Sequence, residues 1–221
     1  LQAHTPGMYR QKENFANALQ QVYGSNLKAV YDKSAALVHD AQKGQPSTDG
    51  YIYGNTSEQV VKENGHLFKV DWVQGQKTGF FIDQRENRAL LARYAHNKKV
   101  LNTFCYTGGF SVYALQAGAA MVASVDSSAK AMETAAENMK LNNFAESRYS
   151  LHTIDVFDFF KTADNDYDVI VLDPPAFAKS QSARHAAIKA YTRLNREALK
   201  KVKKGGVVFT FSCSQVVSPH L

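Results

Sequence analysis

The fold of this chain is decided by residues 98–126, which read KKVLNTFCYTGGFSVYALQAGAAMVASVD. The apolar run Val100–Phe104 predicts a strand, and Phe110–Ala117 predicts a helix. A second apolar strand, Met121–Val125, follows and ends at Asp126. A strand, a crossover helix and another apolar strand are the repeating unit of parallel sheets. We therefore expect an α/β fold.

The same alternation continues to the C-terminal end of the chain. Ser127 is positioned to cap the next helix, and the uninterrupted apolar run Val169–Leu172 is typical of a strand covered on both faces. We expect a Rossmann-like parallel sheet with the strand order usual for that fold, in which the first and fifth strands flank the fourth. The remaining predicted helices are 129–141, 156–160 and 183–202, and the remaining strands are 149–154, 167–172 and 207–211.

The N-terminal third has a different pattern. Residues 8–22 predict a helix, and Gly65–Phe81 predicts a hairpin with strands 67–73 and 79–82. We assign residues 1–74 to part of a small α+β domain. Residues 75–221 are assigned to the domain that contains the sheet. The chain starts without Met and ends abruptly, so we expect it to be a piece of a longer protein.

Composition narrows the class of protein. With 221 residues, 44% of them hydrophobic, the chain can bury a full core. It lacks an apolar run of about 18 residues and a signal-peptide pattern, so we expect no membrane contact. Two cysteines make neither a disulfide framework nor a metal site, which favours a cytoplasmic location and no metal.

Positive charge is concentrated in one segment. The chain has a net charge of +6, and residues 179–204 hold nine basic residues against one acidic residue, Glu197. The predicted helix in this segment presents a stripe of basic residues at helical spacing. This stripe is either an ordinary solvated face or a track for the RNA backbone. Its members are Lys189, Arg193, Arg196, Lys200 and Lys203.

The predicted strand ends carry polar and small residues. Ligands of open parallel sheets bind at the carboxyl ends of the strands. Thr107-Gly108-Gly109-Phe110 follows the first strand, and Asp126 ends the second, 18 residues after Gly108. A glycine loop and a carboxylate in this arrangement suit a nucleoside cofactor. The loop departs from G-x-G-x-x-G, which disfavours a dinucleotide.

The last two strand ends suggest a site for a planar base. Asp173-Pro174-Pro175-Ala176-Phe177 follows the fourth strand, where the prolines make a rigid shelf beside a carboxylate. Cys213 lies between two serines after the fifth strand, where a thiol can reach a base on that shelf. Cys105, in contrast, is predicted to be a buried and inert thiol, and we expect both thiols to be free.

These segments together resemble class I S-adenosylmethionine (SAM) dependent RNA methyltransferases. More narrowly, they resemble the bacterial 23S rRNA 5-methylcytosine methyltransferases that carry an N-terminal RNA-binding PUA domain. The PUA domain and the last two strands of the family's sheet are absent from this sequence. The segments that match are 75–85, 101–110, 125–126, 155–157, 172–177 and 210–214.

The resemblance implies that residues 1–74 are part of the family's small central domain, which binds RNA or acts as a linker. It also implies roles for individual residues. The loop after the first strand would wrap the methionine part of SAM, Asp126 its ribose, and Asp155 with Val156 its adenine. Asp173 and Pro174 would border both the cofactor and the target base. Other cofactor-binding candidates are Lys77, Thr78, Phe81, Asp83, Gln84, Arg85, Phe104, Tyr106, Thr107, Gly108, Gly109, Phe110 and Ser127. Substrate-binding candidates are Pro175, Phe177, Lys189, Arg193, Arg196 and Lys200.

The resemblance implies an rRNA methyltransferase in which Cys213 is the nucleophile and Asp173 orients the base. Addition of a thiolate to C6 makes C5 of cytosine able to accept a methyl group. An alternative is methylation of an exocyclic amine or a guanine ring nitrogen, which needs no thiol. A third hypothesis is an RNA-binding protein that has lost catalysis. The expected partner is 23S rRNA, and a homodimer is a possible assembly.

Overall fold

The computed structural model of the chain describes residues 1–38, 48–75, 79–178, 180–214 and 217. The chain folds into two compact units. The first comprises Leu1–Val61 and Lys69–Asp83, and the second comprises Lys62–Phe68 and Gln84–Leu221.

The first unit combines short helices with a two-stranded antiparallel sheet. The single helix predicted over residues 8–22 is divided at Gln11, whose N–H closes the first helix on Met8 O. The ion pair Lys12–Asp32, 3.0 Å long, ties the second helix to the first strand. Its elements are α1 (Pro6–Arg10), α2 (Lys12–Tyr23), β1 (Ala29–Asp32), α3 (Ala35–Val38) and β2 (Gly50–Gly54), with β1 paired to β2.

The hairpin predicted over Gly65–Phe81 is wrong in its pairing. The hairpin consists of β3 (Val60–Glu63) and β4 (His66–Lys69), joined by Asn64-Gly65. Asn-Gly is the strongest two-residue signal for a hairpin turn, and both residues have positive φ here. The strand stops at Lys69 because the Asp71 carboxylate accepts bonds from the next turn, at Val73 N and Gln74 N.

The second unit contains the five-stranded parallel sheet. Its order is β7-β6-β5-β8-β9, so the first and fifth strands of the unit flank the fourth, as predicted. The Rossmann-like α/β class is thereby confirmed. The strands are β5 (Lys99–Thr103), β6 (Met121–Asp126), β7 (Tyr149–Thr153), β8 (Tyr167–Leu172) and β9 (Val202–Thr210). The helices are α4 (Arg85–Ala95), α5 (Gly109–Gln116), α6 (Ala129–Leu141), α7 (Val156–Thr162) and α8 (Arg184–Lys201).

The central strands are buried on both faces. On one face, Leu101 and Ile170 belong to an apolar cluster with Leu194 of α8 and residues of α7. On the other face, Asn102 Nδ2 donates to Ser111 Oγ of α5 at 2.8 Å. Successive residues of a strand face opposite sides, so α7 and α8 cover one side and α5 covers the other. This packing fixes the carboxyl ends of the strands at one edge.

The transition from α8 to β9 differs from the prediction. The helix ends at Lys201 and the strand begins at Val202, so the glycines at 205–206 lie inside β9 and not before it. The register with β8 shifts there. A Cβ on Gly206 would lie 2.7 Å from Asp168 O, which explains the glycine. Lys203 therefore belongs to β9, and the helical stripe ends at Lys200.

Membrane-spanning helices and metal-binding clusters are absent from the described part of the chain. Within those residues, no helix is long and apolar enough to cross a membrane. Nor do the same residues contain a group of three or more His, Cys, Asp or Glu side chains that could hold a metal ion.

Candidate active site

The loop between β5 and α5 has a constrained backbone. Phe104 and Tyr106 have φ values of 54° and 48°, a region that residues other than glycine adopt at a cost in free energy. Gly108, with φ 78°, caps α5, and a Cβ there would meet Met139 Cε at 3.0 Å. The backbone of this loop is thus closely packed and held in one conformation. It lies at the carboxyl end of β5, beside the N-terminus of α5.

Asp126 ties this loop to the end of β6. One carboxylate oxygen accepts a bond from Tyr106 N at 2.9 Å, and the other accepts from Ser128 N at 2.9 Å. Ser128, rather than the predicted Ser127, caps α6 through Ala131 N. Asp126 therefore fixes the geometry of the glycine loop.

Asp155 occupies the next strand end and begins α7. Its Oδ1 accepts bonds from Phe157 N at 2.8 Å and Asp158 N at 3.2 Å. Val156, the first residue of the helix, is buried. The N-cap bonds hold the Asp155 carboxylate at the carboxyl edge of the sheet.

Asp173 is held by an amide relay at the end of β8. Gln84 Nε2 donates to Asp173 Oδ1 at 3.1 Å, and Asn87 Nδ2 donates to Gln84 Oε1 at 2.6 Å. The Gln84 amide donates one of these bonds and accepts the other, and the two bonds together fix its orientation. Gln84, a predicted cofactor ligand, thus contacts the carboxylate predicted to orient the base.

Cys213 lies against the loop that contains Asp173. Leu172 O accepts a bond from Phe211 N at 2.9 Å, which continues the pairing of β8 and β9 past the last strand residues. Cys213 Sγ lies 3.8 Å from Pro174 O, and the residue is exposed. The thiol and the Asp-Pro-Pro shelf are therefore neighbours.

Cys105 has the opposite environment. It is buried, and its Sγ lies 3.4 Å from Met132 Sδ. Burial, with a further contribution from Asp126, raises the pKa of the Cys105 thiol well above its ordinary value. Both cysteines are free, as predicted. Because a thiolate is the reactive form, only Cys213 has the exposure that a nucleophile needs.

A family model described as S-adenosylmethionine-dependent methyltransferase matches residues 14–221. The chain belongs to this family. The cofactor of this methyltransferase chain is SAM.

Relatives of the methyltransferase chain are longer than the chain itself. It is 40% identical over 200 residues to "Ribosomal RNA large subunit methyltransferase I" of Shewanella denitrificans, covering 87% of this chain and 50% of that protein. The protein of the same name from Aeromonas hydrophila is 39% identical over 217 residues, with 96% and 54% covered. The chain thus spans about half the length of these relatives.

A solved methyltransferase structure extends the comparison to a bound product. SMU.776, a putative methyltransferase crystallised in complex with SAH, has a TM-score of 0.76 and is 29% identical to this chain. The match covers 94% of this chain and 53% of that one. The residues present here suit the same class of ligand, because a tight glycine loop leads into a helix N-terminus and Asp126 offers an anionic acceptor beside it.

Two of the predicted cofactor-binding residues, Phe81 and Asp83, belong to the first unit. Phe81 is half-buried and Asp83 is exposed. Lys77 and Thr78 lie outside the described residues. Arg85, which begins α4 in the second unit, is exposed and pairs with Glu86 at 3.0 Å.

The remaining candidates near the strand ends are packed to different degrees. Thr107 O accepts a bond from Asn138 Nδ2 at 2.8 Å. The Phe110 ring stacks on Phe211 with centroids 5.6 Å apart. The ring centroids of Phe177 and Tyr191 are 4.7 Å apart, so the Phe177 ring packs against α8. Gly109 is half-buried, whereas Ser127 and Pro175 are exposed.

The basic candidates all lie on the outward face of α8. The Arg193 guanidinium lies 4.4 Å from the centre of the Phe157 ring, and Lys200 pairs with Glu197 at 2.9 Å. On the other face, Tyr191 and Ala198 are buried. The name basic stripe denotes the four basic residues of the outward face, Lys189, Arg193, Arg196 and Lys200.

Three polar residues of the site were not predicted from the sequence, although one of them had a signal there. Asn87 orients Gln84, and the hydroxyls of Ser214 and Tyr191 meet at 3.0 Å behind Cys213. The position of Ser214 next to the candidate nucleophile was an available signal. Asn87 and Tyr191 gave none, because their partners lie elsewhere in the chain.

Proposed function

We propose that the chain is the catalytic part of a SAM-dependent rRNA methyltransferase that methylates C5 of a cytosine in large-subunit rRNA. The observation that carries the proposal is the position of Cys213, exposed and 3.8 Å from Pro174 O, next to the shelf that begins at Asp173. The names of the two curated relatives support the rRNA substrate.

The residues have distinct roles in this proposal. Cys213, as thiolate, adds to C6 of cytosine and makes C5 nucleophilic. After methylation, a base removes the C5 proton, the C5–C6 double bond re-forms and the thiolate leaves. SAM, when bound, supplies the electrophilic methyl group. Asp173, oriented by Gln84, holds the exocyclic amine and N3 edge of the base.

The cofactor-binding roles follow the strand ends. Phe104, Tyr106, Thr107, Gly108 and Gly109 would enclose the methionine part of SAM. Asp126 would accept bonds from the ribose hydroxyls. Asp155 and the Val156 backbone would contact the adenine. The constrained backbone of the loop supports this assignment, because strain of this kind concentrates where a ligand is bound.

Replacement of the thiol separates this reaction from amine or guanine-nitrogen methylation. We expect Cys213→Ala, in the full-length enzyme, to abolish methylation of rRNA from cells that lack the enzyme, because C5 is then not activated. Mass spectrometry of nucleosides from the treated RNA measures the product as 5-methylcytidine.

Cys105→Ala is the matched control, since it removes the other thiol without touching the shelf. It should methylate normally once corrected for its folded fraction. Methylation that survives Cys213→Ala would exclude the covalent route and favour an amine or a guanine nitrogen as the target. Absence of SAM or SAH binding to the wild type in a calorimetric titration would favour the non-catalytic hypothesis.

A further inference from the structure

The segment that carries Cys213 is anchored by a buried hydroxyl one residue further on. Ser214 is 4% exposed, and its Oγ accepts a bond from Ala178 N at 3.3 Å. The same Oγ lies 3.0 Å from the hydroxyl of Tyr191, which is also buried. One hydroxyl thus joins three elements: the segment after β9, the shelf after β8, and α8.

The backbone on the other side of Cys213 is fixed as well. Ser214 N donates to Ser212 Oγ at 3.3 Å and closes a turn around the cysteine. Phe211 N donates to Leu172 O, which secures the start of the segment. The thiol therefore projects from a turn that is held at both ends, while the cysteine itself remains exposed.

Burying two hydroxyls in this place costs free energy, and packing alone does not explain why polar side chains are found here. Burying a hydroxyl is unfavourable unless it is hydrogen-bonded, and an apolar side chain would fill the space without that requirement. What the hydroxyls add is direction, because hydrogen bonds restrict distance and angle where apolar contacts do not. The direction that they fix is the path of the backbone next to the thiol.

We propose that Ser214 and Tyr191 are positioning residues that hold the Cys213 thiol against the shelf for attack on the base. The inference rests on the proposed function, because it assigns the pair to the step in which the sulfur–C6 bond forms. Neither residue touches the cofactor in this proposal. Loss of the pair should therefore slow adduct formation and leave SAM binding unchanged.

The test uses the full-length enzyme with SAM and an RNA oligonucleotide that carries 5-fluorocytidine at the target position. Fluorine replaces the proton that must leave, so the covalent adduct accumulates and is measured by denaturing electrophoresis. At saturating RNA and SAM, we expect Tyr191→Phe to slow adduct formation about 10-fold, within the ~100-fold that a 1 Å misplacement can cost. The RNA concentration at half-maximal rate and the SAH dissociation constant should stay within about twofold of wild type.

A double-mutant cycle separates positioning from stability. Ser214→Ala should slow the adduct at least as much, because it also removes the acceptor of the Ala178 amide. Tyr191→Phe with Ser214→Ala should be no slower than Ser214→Ala alone, because both changes remove the contact between the two hydroxyls. Tyr149→Phe, which removes a hydroxyl at the opposite edge of the sheet, is the matched control and should react at the wild-type rate. All rates are corrected for the folded fraction from thermal melting.

The possible results distinguish the two proposals. If Cys213→Ala still forms the adduct or methylates RNA, the proposed function fails and this inference fails with it. If Cys213→Ala is inactive but Tyr191→Phe forms the adduct at the wild-type rate, only the inference is overturned. An equal loss of SAH affinity in Tyr191→Phe would also overturn it, since that result places the hydroxyl pair in the cofactor site.

Discussion

Asp126 organises the loop after β5, and in the proposed function the same carboxylate also binds the cofactor. Its two oxygens accept the Tyr106 and Ser128 amides, so the side chain organises the loop after β5 before any ligand arrives. In the proposed role it also accepts bonds from the ribose. A carboxylate has about four lone-pair sites, so these tasks are compatible.

Replacement of Asp126 should therefore weaken SAH binding strongly. A hydrogen bond to a charged group contributes about 1.5–3 kcal/mol, so we expect Asp126→Ala to raise the dissociation constant roughly 10- to 150-fold. Asp126→Asn keeps one acceptor, so its dissociation constant for SAH should lie between those of the wild type and Asp126→Ala. Isothermal calorimetry gives the constants, and Asp158→Ala, which removes an exposed carboxylate from α7, is the control. Wild-type affinity in Asp126→Ala would mean that Asp126 only organises the loop after β5 and does not bind the cofactor.

At the scale of elements, the amino ends of the strands are joined by a different carboxylate. Asp168 of β8 accepts a bond from Lys99 N of β5 at 2.8 Å and lies 3.4 Å from Lys203 Nζ of β9. Burial by itself would raise the pKa of Asp168, but the Lys99 amide and the Lys203 ammonium outweigh it and lower the pKa. This contact lies at the edge of the sheet opposite to the proposed cofactor site.

Removal of this contact should affect stability and leave ligand binding intact. We expect Asp168→Ala to lower the free energy of unfolding at pH 7 by about 1–3 kcal/mol, because the Lys99 amide loses its acceptor. Urea denaturation measures the change, and SAH affinity should equal that of the wild type. A loss of SAH affinity would contradict the separation of the two edges.

The effect of Asp168 should also depend on pH. Its folded pKa lies below the ordinary value of 3.8, so its ionised form stabilises the fold above that value. This stabilisation is lost as the pH falls through the folded pKa. The stability difference between wild type and Asp168→Ala, measured by urea denaturation across this range, should thus narrow below about pH 4. A difference that stays constant from pH 7 to pH 3 would contradict the lowered pKa.

The helix α8 presents two faces with different tasks. Tyr191 and Leu194 pack inward, while the basic stripe faces outward. Within the stripe, Lys200 pairs with Glu197. The structure is thus compatible with both interpretations of the stripe, a solvated face or an RNA-backbone track, and a binding measurement decides between them.

Charge reversal in the stripe tests the RNA-backbone track. We expect Arg193→Glu with Lys200→Glu, in the full-length enzyme, to weaken rRNA binding. The slope of log affinity against log salt should flatten by roughly 0.7–0.9 for each lost phosphate contact. Lys130→Glu with Lys140→Glu on α6 changes the net charge equally and is the control. SAH affinity should be unchanged in both, and wild-type RNA affinity and salt slope in the α8 variant would leave the stripe as solvated surface.

At the scale of the whole chain, the predicted site residues and the large cavity lie mostly in different units. The second unit holds the sheet, the glycine loop, both cysteines and the basic stripe. The first holds a cavity of about 450 Å³ whose lining includes Tyr31, Tyr51 and Trp72. The assignment of residues 1–74 to an RNA-binding or linking domain stays a prediction.

The sequence by itself determined the parallel sheet and the residues at the strand ends. These features depend on local patterns: apolar runs of strand length, helical spacing between them, and polar residues where each run stops. Because parallel strands align their carboxyl ends, the positions of Asp126, Asp173 and Cys213 along the chain were enough to place them at one edge.

Tertiary structure decided what those residues contact. The bond from Gln84 to Asp173 spans 89 positions of the chain, and the hydroxyl pair behind Cys213 spans 23. The burial of Cys105, in contrast, was predicted from the sequence, and the pairing of β3 with β4 follows the local Asn64-Gly65 turn signal that the prediction of a turn near Gly75 missed. Local patterns specify which face of an element is apolar, but only the packed fold selects the partner that meets each polar group.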